Sequence, residues 1–309
     1  MSVIVTGASG FIGQHLCANL DSSGISVRRL VRRACDAPGS VVIEDLGARP
    51  SLDAVLEGVD CIVHAAGLAH GKASGDGQAD LVRINVNATR WLAEEAVAKG
   101  VKRFVFLSSI GVLGSRTEGG GSLDENSLPN PLDPYSVSKK DAEVVLQDVA
   151  VRTGLEVVIV RPPLVYGPGA PGNFSRLVKL VASGLPLPLA SVDNRRAVIG
   201  IDNLVEFLVL CMKHPNAAGH SFLVSDGRDL STPEFVRKIA AAMGRSAHLF
   251  PCPPRLLEIA GKAIGRSPEL QRLLGSLQVD ISHTRERLGW SPSMSIGESL
   301  RRAFASQSN

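Results

Sequence analysis

The chain has 309 residues, of which 44% are hydrophobic and 20% are charged. This balance is typical of a folded globular protein and excludes a mostly disordered chain. Lys and Arg number 33 against 30 Asp and Glu, and a net charge of +3 is too small to predict the concentrated basic face of a nucleic-acid-binding protein.

The five cysteines are scattered and form no Cys-x-x-Cys pair. They predict reduced thiols, most of them in the core, rather than a disulfide framework or a zinc site. Residues 1–7 lead into a strand and a glycine turn without the basic region of a signal peptide. The longest apolar stretch, 204–212, contains Glu206 and is shorter than the ~20 residues that cross a bilayer. We therefore expect a cytoplasmic protein with no metal, nucleic-acid partner or membrane segment.

The first half of the chain alternates short β-branched runs with helical patterns. The predicted strands are 3–5, 27–31, 41–44, 61–64, 104–107 and 157–160. Between the first two strands, Ile12, Leu16 and Leu20 form one apolar helical stripe. This alternation predicts an α/β fold, a doubly wound (Rossmann) parallel sheet covered on both faces.

The second half predicts a smaller C-terminal α/β lobe. Prolines after Arg161 predict a loop-rich stretch that wraps a ligand, and 232–243 and 253–265 are predicted helices. We expect residues 1–166 to form a dinucleotide-binding domain, with 196–226 returning to its sheet. Residues 167–309 then form most of a substrate lobe. The glycine-rich segment 115–129 fits either a lid or a plain connection.

A glycine turn directly follows the first strand. Gly7 permits the tight turn, Gly10 lets a diphosphate approach the backbone, and Gly13 lets helix and strand pack closely. The unpaired N–H groups at the start of the helix are a binding site for that diphosphate. This placement predicts a dinucleotide cofactor.

The end of the second strand favours one dinucleotide over the other. Arg32 and Arg33 stand where a ribose 2′-hydroxyl would require a carboxylate, and a guanidinium pairs well with a 2′-phosphate. The sequence therefore favours NADPH, with NADH and a solvated basic turn as the alternatives. Asp45 and Leu46, after the third strand, suit contact with the adenine amino group.

Tyr135 and Lys139 lie four residues apart on a predicted helix that begins with Asp133 and Pro134. The spacing places both side chains on one helical face, and Ser109 lies 26 residues upstream at the end of a strand. A phenol normally titrates near pH 10, so a nearby ammonium is expected to lower the pKa of Tyr135. The trio predicts hydride transfer with Tyr135 carrying the proton and Ser109 holding the substrate oxygen.

Together these residues resemble those of the extended short-chain dehydrogenase/reductase superfamily, and within it the NAD-dependent epimerase/dehydratase branch that acts on nucleotide sugars. The likeness runs over essentially the whole chain. Its segments are Thr6-Gly7-Ala8-Ser9-Gly10-Phe11-Ile12-Gly13, Ala65-Ala66-Gly67, Asn85-Val86-Asn87, Leu107-Ser108-Ser109 with Gly114, Tyr135-Ser136-Val137-Ser138-Lys139, Arg161-Pro162, Val165-Tyr166-Gly167-Pro168 and Leu288-Gly289-Trp290. The resemblance implies a cofactor held by Gly7, Gly10, Phe11, Ile12, Gly13, Ala65, Ala66, Gly67, Asn85, Tyr135, Lys139 and Pro162.

The resemblance also implies a UDP-sugar substrate. Asn173, at the start of a helix, and Arg195, seven residues before Asp202, stand where the family contacts the nucleotide diphosphate. Guanidinium groups and helix N-termini suit such an anion. A solvated pair formed by Arg195 and Arg196 is the alternative interpretation. The family habit of pairing through two helices implies a homodimer.

The run 273–280 resembles bacterial enzymes of surface-polysaccharide (O-antigen) synthesis that are often labelled UDP-glucose 4-epimerase. These include reductases of UDP-4-keto-6-deoxy-N-acetylhexosamine, which make UDP-N-acetylquinovosamine. Leu113 replaces the tyrosine usual before Gly114 in 4-epimerases, and Ala69 stands where they commonly keep a lysine near the cofactor. An epimerase retains its dinucleotide whereas a reductase releases it, so the loss of an anchor favours the reductase.

Four hypotheses follow. The first is an NAD(P)H-dependent reductase of the sugar 4-keto group, and the second is a UDP-hexose or UDP-N-acetylhexosamine 4-epimerase with retained NAD. The third is a non-catalytic NADP-binding sensor, and the fourth is a reductase of a steroid or flavonoid ketone. His64, His70 and Trp290 are expected to have packing or rim roles rather than chemical ones.

Overall fold

The computed structural model describes residues 1–43, 45–68, 77–263, 265 and 267–305. Its strands are β1 (Ser2–Thr6), β2 (Ser26–Val31), β3 (Ser40–Val42), β4 (Cys61–His64), β5 (Arg103–Leu107), β6 (Glu156–Arg161), β7 (Leu164–Tyr166), β8 (Val198–Gly200) and β9 (Ser221–Leu223). Its helices are α1 (Phe11–Ser22), α2 (Asp53–Leu56), α3 (Gly77–Leu81), α4 (Ala88–Ala98), α5 (Pro134–Thr153), α6 (Asn173–Ala182), α7 (Ile201–Lys213), α8 (Thr232–Ala242), α9 (Pro254–Ala263), α10 (Ser267–Leu274), α11 (Ser282–Leu288) and α12 (Ile296–Ala305).

The main sheet has the strand order β3-β2-β1-β4-β5-β6-β9, and all of its pairs are parallel. The predicted doubly wound fold is thus confirmed. The strand order reverses beside β1, which lies between β2 and β4. In such sheets ligands bind outside the carboxyl ends of the strands at the reversal point, where residues 7–13 and 65–68 lie.

Both faces of the sheet are covered. Successive strand residues point to opposite sides, and in these strands the residues on both sides are apolar. Val3 and Val5 of β1 belong to an apolar cluster with α1 and α7. Ile4, between them, belongs to a second cluster with α4 and α5. The near-continuous apolar runs of these strands fit burial on both faces.

The predicted element boundaries are close to the observed ones. Strand β3 ends at Val42, and Glu44, the last residue of the predicted strand, lies outside the described residues. Of the stretch expected to return to the sheet, only β9 joins it, at the edge beside β6. Strand β8 pairs with β7 in a separate two-stranded sheet instead.

A third apolar cluster forms beside that small sheet. Its buried aromatic side chains are those of Tyr166, Phe174 and Phe235, whose ring centroids lie 5.6 to 6.1 Å apart. Helices α6, α8 and α12 supply much of the rest. This packing fits the expected substrate lobe, while the domain boundary at residue 166 stays a prediction.

The segment 115–129 is hydrogen-bonded to residues 276–280. Thr117 N–H donates to Ser276 O at 2.8 Å, and Leu123 N–H donates to Gln278 O at 2.9 Å. The Asp280 N–H returns a bond to Leu123 O at 2.8 Å. These bonds fit the plain connection that the sequence left open rather than a free lid.

Within the described ranges, no helix has both the length and the apolar character required to cross a bilayer. The same residues contain no group of three or more His, Cys, Asp or Glu side chains that could hold a metal ion.

Gly13 allows α1 to lie directly on the turn after β1, because a Cβ there would be only 2.2 Å from Gly7 O. We expect Gly13→Ala to lower the free energy of unfolding by about 1–3 kcal/mol through this clash. The matched control is Gly297→Ala in the first turn of α12, where the nearest atom belongs to the far end of the long Arg301 side chain, at 3.7 Å. There the helix propensity of alanine should leave stability unchanged or raise it by up to about 1 kcal/mol.

Urea unfolding of the two variants tests this difference. Equal stability of both variants would mean that the backbone around residue 13 shifts at no cost.

Candidate active site

The glycine turn has the geometry that the sequence predicts. Gly7 has φ +67°, and a Cβ on it would lie 2.7 Å from Ala66 N. Gly10 begins α1 without a side-chain cap, and its N–H donates to Gly7 O at 2.8 Å. The first N–H groups of a helix have no intrahelical acceptor, so this helix start suits the diphosphate of a dinucleotide.

A cavity of about 230 Å³ lies at the carboxyl ends of β1, β4, β5 and β6. Seven of the predicted site residues line it, namely Ile12, Ala65, Gly67, Ser109, Tyr135, Lys139 and Pro162. Leu68, Leu107, Ser108, Pro163 and Val165, which have no predicted role, complete its wall. We call this cavity the groove. It brings the predicted catalytic trio together with Ile12, which lies between Gly10 and Gly13 at the start of α1.

Helix α5 begins as the sequence predicts. The Asp133 side chain accepts a hydrogen bond from Ser136 N–H at 3.0 Å, and Pro134 occupies the first turn. Proline suits this position because its missing N–H would have had no helical acceptor. This start fixes Tyr135 in the first turn and Lys139 one turn later, on the face toward the groove.

Ser109 lies two residues beyond β5. Its Oγ accepts a hydrogen bond from Gly111 N–H at 3.1 Å and so caps a short helical turn over Ile110–Val112. This leaves the hydroxyl proton available for a substrate oxygen.

Lys139 is 4% exposed, and its Nζ donates to Leu107 O at 2.8 Å. The same Nζ lies 4.5 Å from the centroid of the Phe106 ring. Burial lowers the pKa of Lys139 to about 8, although the Glu143 carboxylate opposes the change. The side chain is thus mostly an ammonium at neutral pH.

The prediction that Lys139 lowers the pKa of Tyr135 is wrong for the charges that the chain itself supplies. Burial, and then the charge of Asp133, raise the pKa of Tyr135 to about 12. The physical reason is that desolvation disfavours the phenolate, whereas the ammonium of Lys139 is directed at Leu107 O. The Tyr135 hydroxyl is therefore a protonated acid near neutral pH.

Asn85 is a brace rather than part of the groove wall. It is buried, its Oδ1 accepts from Leu68 N–H at 2.8 Å, and its Nδ2 donates to Leu68 O and Ser138 Oγ at 3.1 and 2.9 Å. These bonds join the loop after β4 to α5. Ala69 and His70, further along that loop, lie outside the described residues.

His64 has the core role that the sequence predicts. Its Nδ1 lies 2.7 Å from Thr6 Oγ1, and its Nε2 lies 2.9 Å from Thr89 Oγ1. Burial and the Lys139 charge lower the pKa of His64 to about 3, so the ring is neutral. Thr6 Oγ1 also accepts from Ala66 N–H at 3.1 Å, which ties β1 to the loop beside the groove.

The residues predicted to hold the adenosine end lie apart from the groove. Arg32 and Arg33 are exposed directly after β2. Asp45 accepts from Gly47 N–H at 2.9 Å and pairs with Arg83. Partial burial acts to raise the pKa of Asp45, but the bonds from Gly47 and Arg83 outweigh it, and the pKa of Asp45 is lowered.

Three further predicted cofactor residues have packing contacts. Leu46 is buried, and Ala66 packs beside the same apolar cluster. Phe11 packs edge-on to His15 with ring centroids 5.4 Å apart. Their contacts to a cofactor stay predictions.

A second cavity of about 330 Å³ lies in the C-terminal half of the chain and has a mostly apolar wall. The polar side chains of that wall include Asn173, Arg176, Arg196 and Arg272. We call it the arginine cavity. Asn173 begins α6, as predicted, and Arg176 follows one turn later. Guanidinium groups over an apolar pocket suit a phosphate ester that carries a ring.

The structure places Arg196, not the predicted Arg195, in this cavity. Arg195 is exposed, whereas Arg196 pairs with Leu230 and Leu277 in isolated bridges and donates to Gly275 O at 2.7 Å. Adjacent residues of an extended segment point to opposite sides, so only one of the two faces inward. Burial and the charge of Arg272 lower the pKa of Arg196 to about 10, which leaves it a cation at neutral pH.

Arg272 also contacts the start of α5, with its Nη2 3.3 Å from Asp133 Oδ2. The wall of the arginine cavity is thereby in direct contact with the residue that caps α5. Sequence reasoning assigned no role to Arg176 or Arg272. For Arg176, the spacing of three residues after Asn173 was an available signal.

Residues 3–225 match the NAD dependent epimerase/dehydratase family. The chain is 39% identical over 308 residues to a UDP-glucose 4-epimerase of Vibrio cholerae. This match covers 97% of this chain and 93% of that protein. It is 26% identical over 311 residues to a GDP-6-deoxy-D-mannose reductase of Pseudomonas aeruginosa, with 97% and 94% covered.

A solved structure of MoeE5 in complex with UDP-glucuronic acid and NAD superposes with a TM-score of 0.78 at 27% identity. The match covers 99% of this chain and 98% of that one. The prediction of an NAD(P)-dependent enzyme of nucleotide sugars, with epimerases and reductases as its relatives, is confirmed at that level. The glycine turn, the predicted catalytic trio in one groove and these likenesses agree: the chain belongs to the NAD-dependent epimerase/dehydratase family.

Proposed function

We propose that this protein is an NAD(P)H-dependent reductase of the 4-keto group of a UDP-4-keto-6-deoxy-N-acetylhexosamine, serving bacterial surface-polysaccharide synthesis in the cytoplasm. The observation that carries this proposal is the groove, in which Ser109, Tyr135 and Lys139 meet Ile12 and Ala65 beside the cofactor turn.

The arginine cavity supports a nucleotide-sugar substrate. Arg196 and Arg272 supply cations for the diphosphate, and Asn173 lies at the start of α6. The apolar remainder of the wall, which includes Leu230 and Phe235, suits the face of a nucleobase.

The chemistry follows from the protonation states of the groove residues. When bound, the nicotinamide cofactor supplies the hydride that reduces the keto carbon. Ser109 donates a hydrogen bond to the keto oxygen and holds it beside Tyr135. Tyr135, whose pKa is raised to about 12, holds its proton until charge develops on that oxygen and then gives it up. Lys139, one turn later on α5, would hold the ribose of the nicotinamide when the cofactor is bound.

A UDP-hexose 4-epimerase with retained NAD is the second candidate, and the likeness to the Vibrio cholerae protein favours it. Two features support the reductase instead. Leu113, which replaces the usual tyrosine of the epimerases, is buried with Ile110, Val112 and Leu277. The phenol form of Tyr135 is ready to donate a proton, whereas an epimerase first needs a base.

A homodimer is part of the proposal. Val137, Val144 and Val151 are exposed on α5 at seven-residue spacing, which places them along one face of the helix. This apolar face of α5 supports a homodimer of the kind that the family resemblance implies, in which two helices from each protomer pack together.

The reaction type is tested by cofactor balance. With a UDP-4-keto-6-deoxy-N-acetylhexosamine, we expect one NAD(P)H oxidised per sugar reduced, measured by the loss of absorbance of the reduced nicotinamide. Comparison of NADPH with NADH tests the preference proposed for Arg32 and Arg33. Interconversion of UDP-glucose and UDP-galactose without net cofactor change would instead establish the epimerase.

The role of the phenol is tested by Tyr135→Phe. Loss of the proton donor should lower kcat by about 10²–10⁴-fold, while the Kd of NAD(P)H measured by fluorescence stays close to that of the native protein. Cofactor binding that is unchanged, in a native protein that shows no turnover to lose, would favour a non-catalytic sensor.

The substrate site is tested by two adjacent arginines. We expect Arg196→Ala to weaken binding of the UDP-sugar about tenfold or more, because a charge-assisted bond to phosphate is lost. Arg195→Ala, which removes an exposed guanidinium of the same size, is the control and should change the Kd little. Calorimetric titration with UDP measures both, and equal affinity in both variants would remove the arginine cavity from the proposal and favour a ketone without a diphosphate.

A further inference from the structure

A buried ion pair lies beside the groove and takes no part in the proposed chemistry. Glu143 is 3% exposed and Arg161 is 7% exposed. Arg161 Nε donates to Glu143 Oε1 at 3.0 Å, and its Nη2 donates to Oε2 at 2.6 Å. The Ser108 hydroxyl also donates to Glu143 Oε1. One carboxylate thus accepts three bonds, from β6 and from the residue after β5.

Each member of this network lines the groove or is next to a residue that does. Glu143 follows Lys139 by one turn of α5. Ser108 lies between Leu107, whose carbonyl accepts the bond from Lys139 Nζ at 2.8 Å, and the catalytic Ser109. Arg161 precedes Pro162, whose carbonyl accepts from Ile110 N–H at 3.0 Å. The ion pair and the Ser108 bond therefore join three of the backbone segments that line the groove.

We propose that Glu143 is a positioning residue that, gripped by Arg161 and Ser108, holds the Lys139 ammonium and the Ser109 hydroxyl in their places in the groove. The inference rests on the proposed function for the roles of Lys139 and Ser109. A stabilising role alone explains the pair poorly, because desolvation consumes most of the attraction between two buried charges. What a two-point contact of this kind supplies is direction.

The charges around Lys139 give the role a measurable signature. Glu143 on its own helix favours the ammonium, and Arg161 on β6 offsets part of that effect. His64, facing it from β4, is neutral because its pKa is lowered to about 3. Tyr135, one turn earlier, is a neutral phenol. Burial lowers the pKa of Lys139 to about 8, and the Glu143 carboxylate is the charge that opposes this lowering.

The sign of the effect follows directly. A lysine with its pKa at about 8 loses its ammonium as the pH rises through that value. Glu143→Gln removes the anion and leaves the Arg161 cation unpaired, and both changes favour the neutral amine. Loss of the ammonium should then occur at lower pH in the variant.

The experiment measures the Kd of NADH and NADPH by fluorescence from neutral to alkaline pH. We expect the native affinity to fall with a midpoint near 8, and the midpoint of Glu143→Gln to lie about one pH unit or more lower. Glu143→Asp, which keeps the charge on a shorter side chain, should restore most of the native midpoint.

The matched control is Glu156→Gln. Glu156 pairs with Arg103 and joins the same two strands at their opposite ends, so its loss should not move the midpoint. The proposal would be overturned if Glu143→Gln lowered stability but kept the pH midpoint of the native protein. It would also be overturned if the native protein's affinity for the cofactor did not fall at alkaline pH.

Ser108→Ala provides a second route if Glu143→Gln does not fold. It removes one hydrogen bond to Glu143 and no charge, so the midpoint should stay in place while kcat falls about tenfold. Native kcat in this variant would contradict the positioning role. Because cofactor binding needs no sugar, a wrong sugar substrate would appear as an inactive native enzyme and leave the pH measurement valid.

Discussion

The burial of one ammonium group constrains most of the groove. A charge removed from water is costly unless it is paired and hydrogen-bonded, and Lys139 is almost wholly enclosed. The Leu107 carbonyl, the face of the Phe106 ring and the Glu143 carboxylate together supply what water would have supplied. Each comes from a different position in the chain, so the lysine is retained only if β5 and α5 meet in the correct register.

The same burial explains why Tyr135 differs from a simple expectation based on spacing. Desolvation disfavours the phenolate, and the Asp133 carboxylate that caps the helix adds to this effect. A phenol that keeps its proton suits the reduction of a carbonyl, because the proton is needed only once negative charge forms on oxygen. Asp133 therefore has two effects, since the residue that starts the helix also sets the charge near the acid.

An ion pair links the wall of the arginine cavity to the start of α5. Arg272 lines the arginine cavity and also contacts Asp133 at the start of α5. Residues 276–278 bind the segment 115–129 on one side and Arg195 on the other through backbone hydrogen bonds. Residues 276–278 thus link the segment that precedes α5 to the extended segment that carries Arg196 into the arginine cavity.

Local spacing in the sequence determined the sheet, the glycine turn, the start of α5 and the Tyr135–Lys139 pair, because turns, caps and helical faces depend on residues within one or two turns of each other. The tertiary structure alone decided that Arg196 rather than Arg195 faces the cavity, since this depends on pairing with Leu230 and Leu277. It likewise decided the partners of Glu143 and the pKa values of Tyr135 and Lys139. Burial and distant charges set these properties, and neither can be read from the order of neighbouring residues.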